Sequence, residues 1–445
     1  MISGRVESFV VPTAEDTCQL LGAINSNNGV YLDYDLILEF LYYYYRAAEN
    51  NKRELCRYLH ISDIKMLNAD RIRSVITSKG YAKYFPRTAS NDISLAAKES
   101  DVVFNSTVID DEVKWIMKLW SEACGYASTV SQFNTALQVG QLCDEESYNG
   151  HRMLRIEPVW VVQNTGRFAM TNPAIHNFAD IVKDCVTVPK GYIMVAVDSG
   201  QIEPRLTFSI KMPDKQIQKL IVLYDDAYFG ILHYVLMPES DILSGTLDFQ
   251  KMEITDDLQA KRQKLKTYIN AVIYNSKDDD GDSMKTKLIQ RIGNHPMHVK
   301  WIKELDDQLM TGNYVVHTAF GTPIDVRRGT NTSSSGKYSK ASEESKFNHY
   351  LRSAINAPIQ GTAADLHRLA IEDEKKFLLY RASRSFIMMS VHDAIYTAVH
   401  EEDYDAEIEF LSHCPEYRID GWVPVLCKAE IGQHQANPIF KGKRY

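Results

Sequence analysis

The stretch 195-VAVDSGQIEPR-205 decides the fold. Val195, Ala196 and Val197 favour a buried, extended strand that runs into Asp198, and a second acid, Glu203, follows between Ile202 and Pro204. A carboxylate at the end of an apolar strand is costly unless something positive neutralises it. The pattern recurs at 385-SFIMMSVHDAIYTAVH-400, where His392 and Asp393 interrupt two apolar runs at a hairpin turn. A strand ending in Asp, a long helical excursion and then this hairpin predict one sheet that brings Asp198 and Asp393 together. Adjacent carboxylates repel, and a divalent cation removes the repulsion. Magnesium accepts one or two aspartates with water and substrate phosphates as its other ligands. The pair therefore predicts metal-assisted phosphoryl transfer, with two ions clamping the attacking and leaving oxygens. Taken singly, either aspartate reads as a surface turn residue.

The helical excursion contains 259-QAKRQKLKTYINAVIY-274, in which Arg262, Lys266 and Tyr274 stand at i, i+4 and i+12. One helix face then carries two cations and, further along, a ring. Such a face can hold a triphosphate, with a planar guanidinium on the outer oxygens and an ammonium nearer the reacting phosphorus. An isolated basic helix would read as a solvated face; beside the aspartates it reads as part of a site.

At 445 residues the chain is long enough for two or three lobes, and 44% hydrophobic with 24% charged residues is ordinary globular composition. Seven cysteines show no CxxC pair and no Cys/His metal spacing, so reduced thiols and no zinc are expected. The N-terminus lacks the basic and apolar segments of a signal peptide, and no run is long and apolar enough to span a membrane. A soluble, cytoplasmic protein is expected. The net charge of −8 alone argues against a nucleic-acid partner, but the basic residues cluster at 261–266 and 277–303. Residues 1–150 read as mostly helical, and the tyrosines from Tyr42 to Tyr45 read as core. Residues 151–214 turn to strand character, 215–350 are mainly helical with a polar loop at 330–345, and 351–445 hold a long helix, the hairpin and a final strand.

These residues resemble the family A (polymerase I type) DNA polymerases. DSGQIEPR is similar to that family's motif A, RQKLKTYINAVIY to its motif B, and VHDAIY to its motif C. TGRFAMTNPAIHN, RSAINAPIQGTAAD and PVLCKAEIG resemble three further family segments, all in the family's order between residues 165 and 432. The resemblance implies an α+β fold of right-hand architecture. Its antiparallel palm sheet would come from 151–214 and 351–445, with helical fingers at 215–350 and a helical thumb at 1–150. It implies a DNA polymerase adding deoxynucleotides to a primer 3′ end, with primer-template DNA and dNTPs as partners and two Mg2+ or Mn2+ ions as cofactors. Asp198 and Asp393 would bind metal, and Arg262 and Lys266 would grip the phosphates, Lys266 taking part in catalysis. Tyr274 and Glu203, with Gln201, would flank the sugar. Arg167, Arg352, Asn356, Gln360 and His392 would follow the minor groove, where acceptors at purine N3 and pyrimidine O2 allow pair geometry to be tested without reading sequence.

Departures from the family pattern are Asn270 for a bulky ring, Asn275 for glycine, Ala394 for an acid, Pro204 for an apolar residue and His176 for Gln. They suggest a divergent lineage such as that of a phage or virus. The acids Asp33 and Asp35 faintly resemble an exonuclease pair but read better as helix cap and surface residues. A polymerase module without proofreading is expected, with any exonuclease or processivity factor on a separate chain. A single-subunit RNA polymerase and a catalytically silent primer-template-binding protein are the alternatives.

Overall fold

The computed structural model describes residues 2–88, 91–96, 103–147, 150–238, 251–274, 281–328 and 343–432. The chain forms two compact units. The larger combines the residues up to Gly29 with Pro158–Thr171 and Gly191–Gly432; the smaller holds Val30–Glu157 and Asn172–Lys190.

The larger unit is built on the strand predicted from VAVD. Strand β1 (Tyr192–Ser199) lies inside a four-stranded sheet, paired along both edges, and its apolar run Met194–Val197 is buried. In chain order come the helices α1 (Lys215–Tyr224), α2 (Ala227–Leu236), α3 (Asp256–Ile273) and α4 (Glu343–Tyr380). Strands β2 (Phe386–Val391), β3 (Ala394–His400) and β4 (Cys427–Gly432) complete the sheet, in the order β2-β3-β1-β4 with all pairs antiparallel. Opposite Asp198 stand Ala394 on one side and Lys428 on the other. The helices Ala14–Asn27, α4 and Tyr404–His413 pack against this sheet.

Local chemistry explains the helices that carry the candidate residues. Thr255 caps α3, its hydroxyl accepting from the Leu258 amide, and Leu258, Leu265, Ile269 and Val272 form its buried stripe. Arg262 and Lys266 are left beside that stripe rather than beneath it. Helix α2 is buried from Ala227 to Val235 and lies against α1 so closely that a Cβ on Gly230 would sit 2.5 Å from the Ile221 Cα. Only glycine fits that contact without backbone movement. The centre of α4 is likewise buried, and its small residues Gly361, Ala363 and Ala364 admit close neighbours.

The smaller unit pairs the helices Tyr34–Tyr58 and Asp111–Val139 and adds a four-stranded antiparallel sheet. The first region is mainly helical, as expected, and also supplies two strands of this sheet: Val30–Asp33 and Gln141–Glu146 both pair with Arg152–Ile156. The N-terminal strand Ile2–Gly4 belongs instead to the larger unit, in parallel pairing with Tyr417–Ile419. The tyrosine stripe, expected to be core, is corrected. Tyr44 alone is core, against Tyr126 and Phe133, whereas Tyr42, Tyr43 and Tyr45 are 67%, 51% and 55% exposed. Four consecutive helical residues sweep all the way round the axis, so they cannot share one buried face. Asn275 and the polar loop up to residue 342 lie outside the described residues.

Candidate active site

The β2-β3 hairpin turns through His392, in the left-handed region at φ 55°, and Asp393. Register then sets the acidic pair: Asp198 faces Ala394, the residue after Asp393, and the Ser199 amide donates to the Asp393 carbonyl at 3.2 Å. The protein packed around Asp198, the nearby Asp393 carboxylate and Glu430 push its pKa up to about 6, against the pull of Lys428. Burial also raises Asp393, and Glu203 adds to this while Arg167 and His392 oppose it. Each aspartate is thus harder to ionise than an ordinary carboxyl, and a cation between them would favour the ionised form of both. Among the described residues no cluster of three or more His, Cys, Asp or Glu could hold a metal. Asp198 and Asp393 alone are two hard-oxygen donors, a set that a magnesium ion could share with water and substrate oxygens.

Glu203 is the hub of the same cluster. Its Oε1 accepts from Arg167 Nη2 at 3.0 Å and from Gln360 Nε2 at 3.4 Å, and its Oε2 accepts from the Tyr274 hydroxyl at 3.1 Å. Arg167 also reaches Asp393 Oδ1 at 3.4 Å. It follows Gly166, whose positive φ lets the backbone pass where a Cβ would lie 2.8 Å from the Arg368 guanidinium. Arg368 is buried and bonded to Asp365 and to the Pro12 and Gly166 carbonyls. Burial raises the Tyr274 pKa far above its ordinary value, as does the Glu203 charge, so the phenol stays a neutral donor. Tyr274 is the residue that caps α3, not one within it, and its ring leaves the helix toward Glu203 while Arg262 turns elsewhere.

A second cluster forms around a residue that sequence reasoning missed. Asp226 Oδ2 accepts from Arg262 Nη2 at 2.6 Å and from Gln201 Nε2 at 2.7 Å, and its Oδ1 accepts from Arg262 Nε at 3.2 Å. The guanidinium lies 5.3 Å from the centre of the Tyr228 ring and 5.2 Å from that of Phe229, and the Lys266 ammonium is 6.0 Å from Tyr228. Gln201 has φ 57°, uncommon for a residue with a side chain, and its amide holds that conformation by also accepting from the Ala227 amide at 2.5 Å. The one trace of Asp226 in the sequence is an acid just before the apolar run AYFGILHYVL, where it caps α2.

The remaining predicted residues lie along α4 and the hairpin. Arg352, Asn356 and Gln360 are four residues apart on α4, hence along one side of it. Gln360 reaches Glu203; Arg352 is exposed, and Asn356 buries an amide oxygen with no partner among the described residues. His392 is exposed at the turn beside Asp393. Arg205, the last residue of the opening stretch, is 2% exposed and donates to the carbonyls of Gly200, Pro424 and Asp225. It braces the backbone that carries both clusters.

Residues 149–437 match the profile of DNA polymerase family A. DNA polymerase I of Chloroflexus aurantiacus is 33% identical over 95 residues, 20% of this chain and 10% of its own length. The DNA polymerase of Bacillus phage SP01 is 30% identical over 100 residues, 21% of this chain and 11% of its own. DNA polymerase I of a Synechocystis species is 23% identical over 303 residues, 61% of this chain and 28% of its own. The chain thus spans no more than 28% of the length of these relatives. Among solved structures, the POL domain of Pol1 from M. smegmatis, in complex with DNA primer-template and dNTP, superimposes with a TM-score of 0.69. The match covers 94% of this chain and 68% of that one at 16% identity, a likeness of fold. Because the profile covers well over half of the 445 residues and takes in both clusters, the chain belongs to DNA polymerase family A.

Proposed function

We propose that this chain is a template-directed DNA polymerase that adds deoxynucleotides to a primer 3′ end and releases pyrophosphate. The observation that carries the reading is the juxtaposition of Asp198, near the end of β1, with Asp393 in the adjoining β2-β3 turn, each with a raised pKa. In this reading the four-stranded sheet is the palm, α3 belongs to the fingers and the helices of the first region form the thumb. Asp198 and Asp393 would hold two magnesium or manganese ions. Such ions acidify a bound hydroxyl and stabilise charge on the transferring phosphoryl group.

The chain's own residues supply the rest. Arg262 and Lys266 present cations to the triphosphate, Lys266 nearer the reacting phosphorus. The Glu203 and Tyr274 pair, already bonded to each other at 3.1 Å, walls the sugar, so that a 2′-hydroxyl meets a clash or an unpaired polar group. Gln201 shapes the turn leading to Glu203. Arg167, Gln360, Asn356, Arg352 and His392 lie toward the primer-template minor groove, Arg167 exchanging its present ion pairs for base acceptors when DNA arrives. The neighbouring structure's primer-template and dNTP fit this assignment of partners.

The reading includes no proofreading by these residues. Asp33 caps the Tyr34–Tyr58 helix and bonds His151 at 2.8 Å, and Asp35 is paired with Arg152, which leaves neither directed at a substrate. The decisive experiment is extension of a labelled primer with magnesium and either dNTPs or rNTPs. The wild type should extend with dNTPs, Asp198→Asn and Asp393→Asn should lose on the order of a thousandfold in rate, and Glu203→Ala should gain ribonucleotide incorporation. Extension with rNTPs by the wild type would favour an RNA polymerase. Primer binding without extension would leave a silent replication protein, and 3′ to 5′ degradation abolished by Asp33→Ala would remove the claim about proofreading.

A further inference from the structure

We propose that Asp226 is a positioning residue for nucleotide binding: it fastens Arg262 of the helix α3 to Gln201 of the turn that follows β1, and so fixes the guanidinium relative to the carboxylate pair. The proposal rests on the reading of Arg262 as a phosphate ligand. One carboxylate receives four donors, from Arg262 Nε and Nη2, Gln201 Nε2 and the Phe229 amide, at 2.6 to 3.2 Å. Three of these come from two elements that no sequence spacing relates, α3 and the β1 turn. The grip is on one edge of the guanidinium, Nε and Nη2, and Nη1 makes neither of these bonds. Tyr228 and Phe229, which follow Asp226 on α2, lie against the same guanidinium, so charge and ring contacts on one short segment jointly set its orientation.

Asp226 is itself rooted. Arg205, buried beneath the turn, donates to the Asp225 carbonyl at 2.7 Å and to the Gly200 carbonyl at 3.0 Å, tying the Asp226 segment to the β1 turn through the backbone as well. Gly230, one turn into α2, fixes that helix against the α1 backbone. Burial favours the neutral acid at Asp226, but the bonds from Arg262, the Phe229 amide and Gln201 outweigh it and hold the carboxyl below its usual value. The group is a constant anion at neutral pH. Orienting a cation before substrate arrives removes an ordering cost from binding.

The test is a double-mutant cycle on the intact chain, with dNTP KM and kcat from primer extension and thermal unfolding as a check of folding. Asp226→Asn keeps an acceptor for the Phe229 amide while removing the charge that holds Arg262. It should raise dNTP KM about tenfold, the scale of one charge-assisted hydrogen bond, with kcat changing far less. In an Arg262→Gln background the same change should add little, because the residue it acts through is gone. Asp226→Glu should recover part of the loss. A KM unchanged or lowered in Asp226→Asn, while Arg262→Gln raises it, would overturn the proposal and leave the polymerase reading intact. Equal effects of Asp226→Asn in both backgrounds would reduce Asp226 to a helix cap and also overturn it. An Arg262→Gln variant with wild-type KM would overturn the phosphate assignment and this proposal together.

Discussion

Asp198 and Asp393 could be found from sequence because a carboxylate against an apolar strand contradicts its surroundings, and the contradiction is local. Asp226 could not, because its partners Arg262 and Gln201 come from separate elements and no spacing announces the meeting. Glu430 and Lys428 stayed hidden for the same reason: only the register of β4 on β1 sets them beside Asp198. The titration of Asp198 has a direct consequence. Its carboxyl, raised to about 6, is increasingly protonated below that pH, and a proton and a cation compete for the same oxygens. At limiting magnesium the extension rate should therefore fall as pH drops through 6, and added magnesium should restore it. A rate insensitive to magnesium at pH 5.5 would mean that Asp198 is not where the cation binds.

Elements with one strong period were legible: β1, the hairpin β2-β3, α3 and α4 all lie where apolar patterning placed them. Strands such as Val30–Asp33 and Val186–Thr187 were not, since two to four residues carry too little pattern and their pairing is nonlocal. A prediction belongs to the packing of α4 on the sheet. Glu374 of α4 is 2% exposed and accepts from the Thr397 hydroxyl of β3; burial pushes its pKa up to about 7 from the usual 4.5. A carboxyl raised in the folded state contributes stability that is complete below its unfolded value and lost as pH rises through the folded one. Between about pH 4.5 and pH 7 the wild type should lose on the order of 3 kcal/mol relative to Glu374→Gln, seen as denaturant midpoints that draw apart from about pH 5 and stop doing so above about pH 7. Curves that stay parallel across that range would place the ionised carboxylate in a better-solvated site.

At the level of the molecule, a net charge of −8 means that the proposed affinity for DNA would come from local arrangements such as Arg167 and Arg352, not from a general attraction. Primer-template affinity should decline linearly on a log–log plot against salt, with a slope of a few, and Asp198→Asn should leave that slope within about one. A flat plot would point to recognition by base stacking. The change near residue 150 was legible as a switch from helical to strand character, whereas the borders at Gly29 and Gly191 were not, because they cut through strand-rich text without a linker. The parallel pairing of Ile2–Gly4 with Tyr417–Ile419 brings together strands that lie far apart in the sequence. On a ribosome adding about 5–20 residues each second, the first strand waits on the order of twenty seconds to a minute or more for its partner to be made. Most of the smaller unit, from Val30 to Glu157, leaves the exit tunnel long before that. Synthesis thus imposes an order on assembly: the later-numbered residues close a body whose first strand has been exposed throughout, and a nascent chain halted before Tyr417 would carry an edge with nothing to receive it.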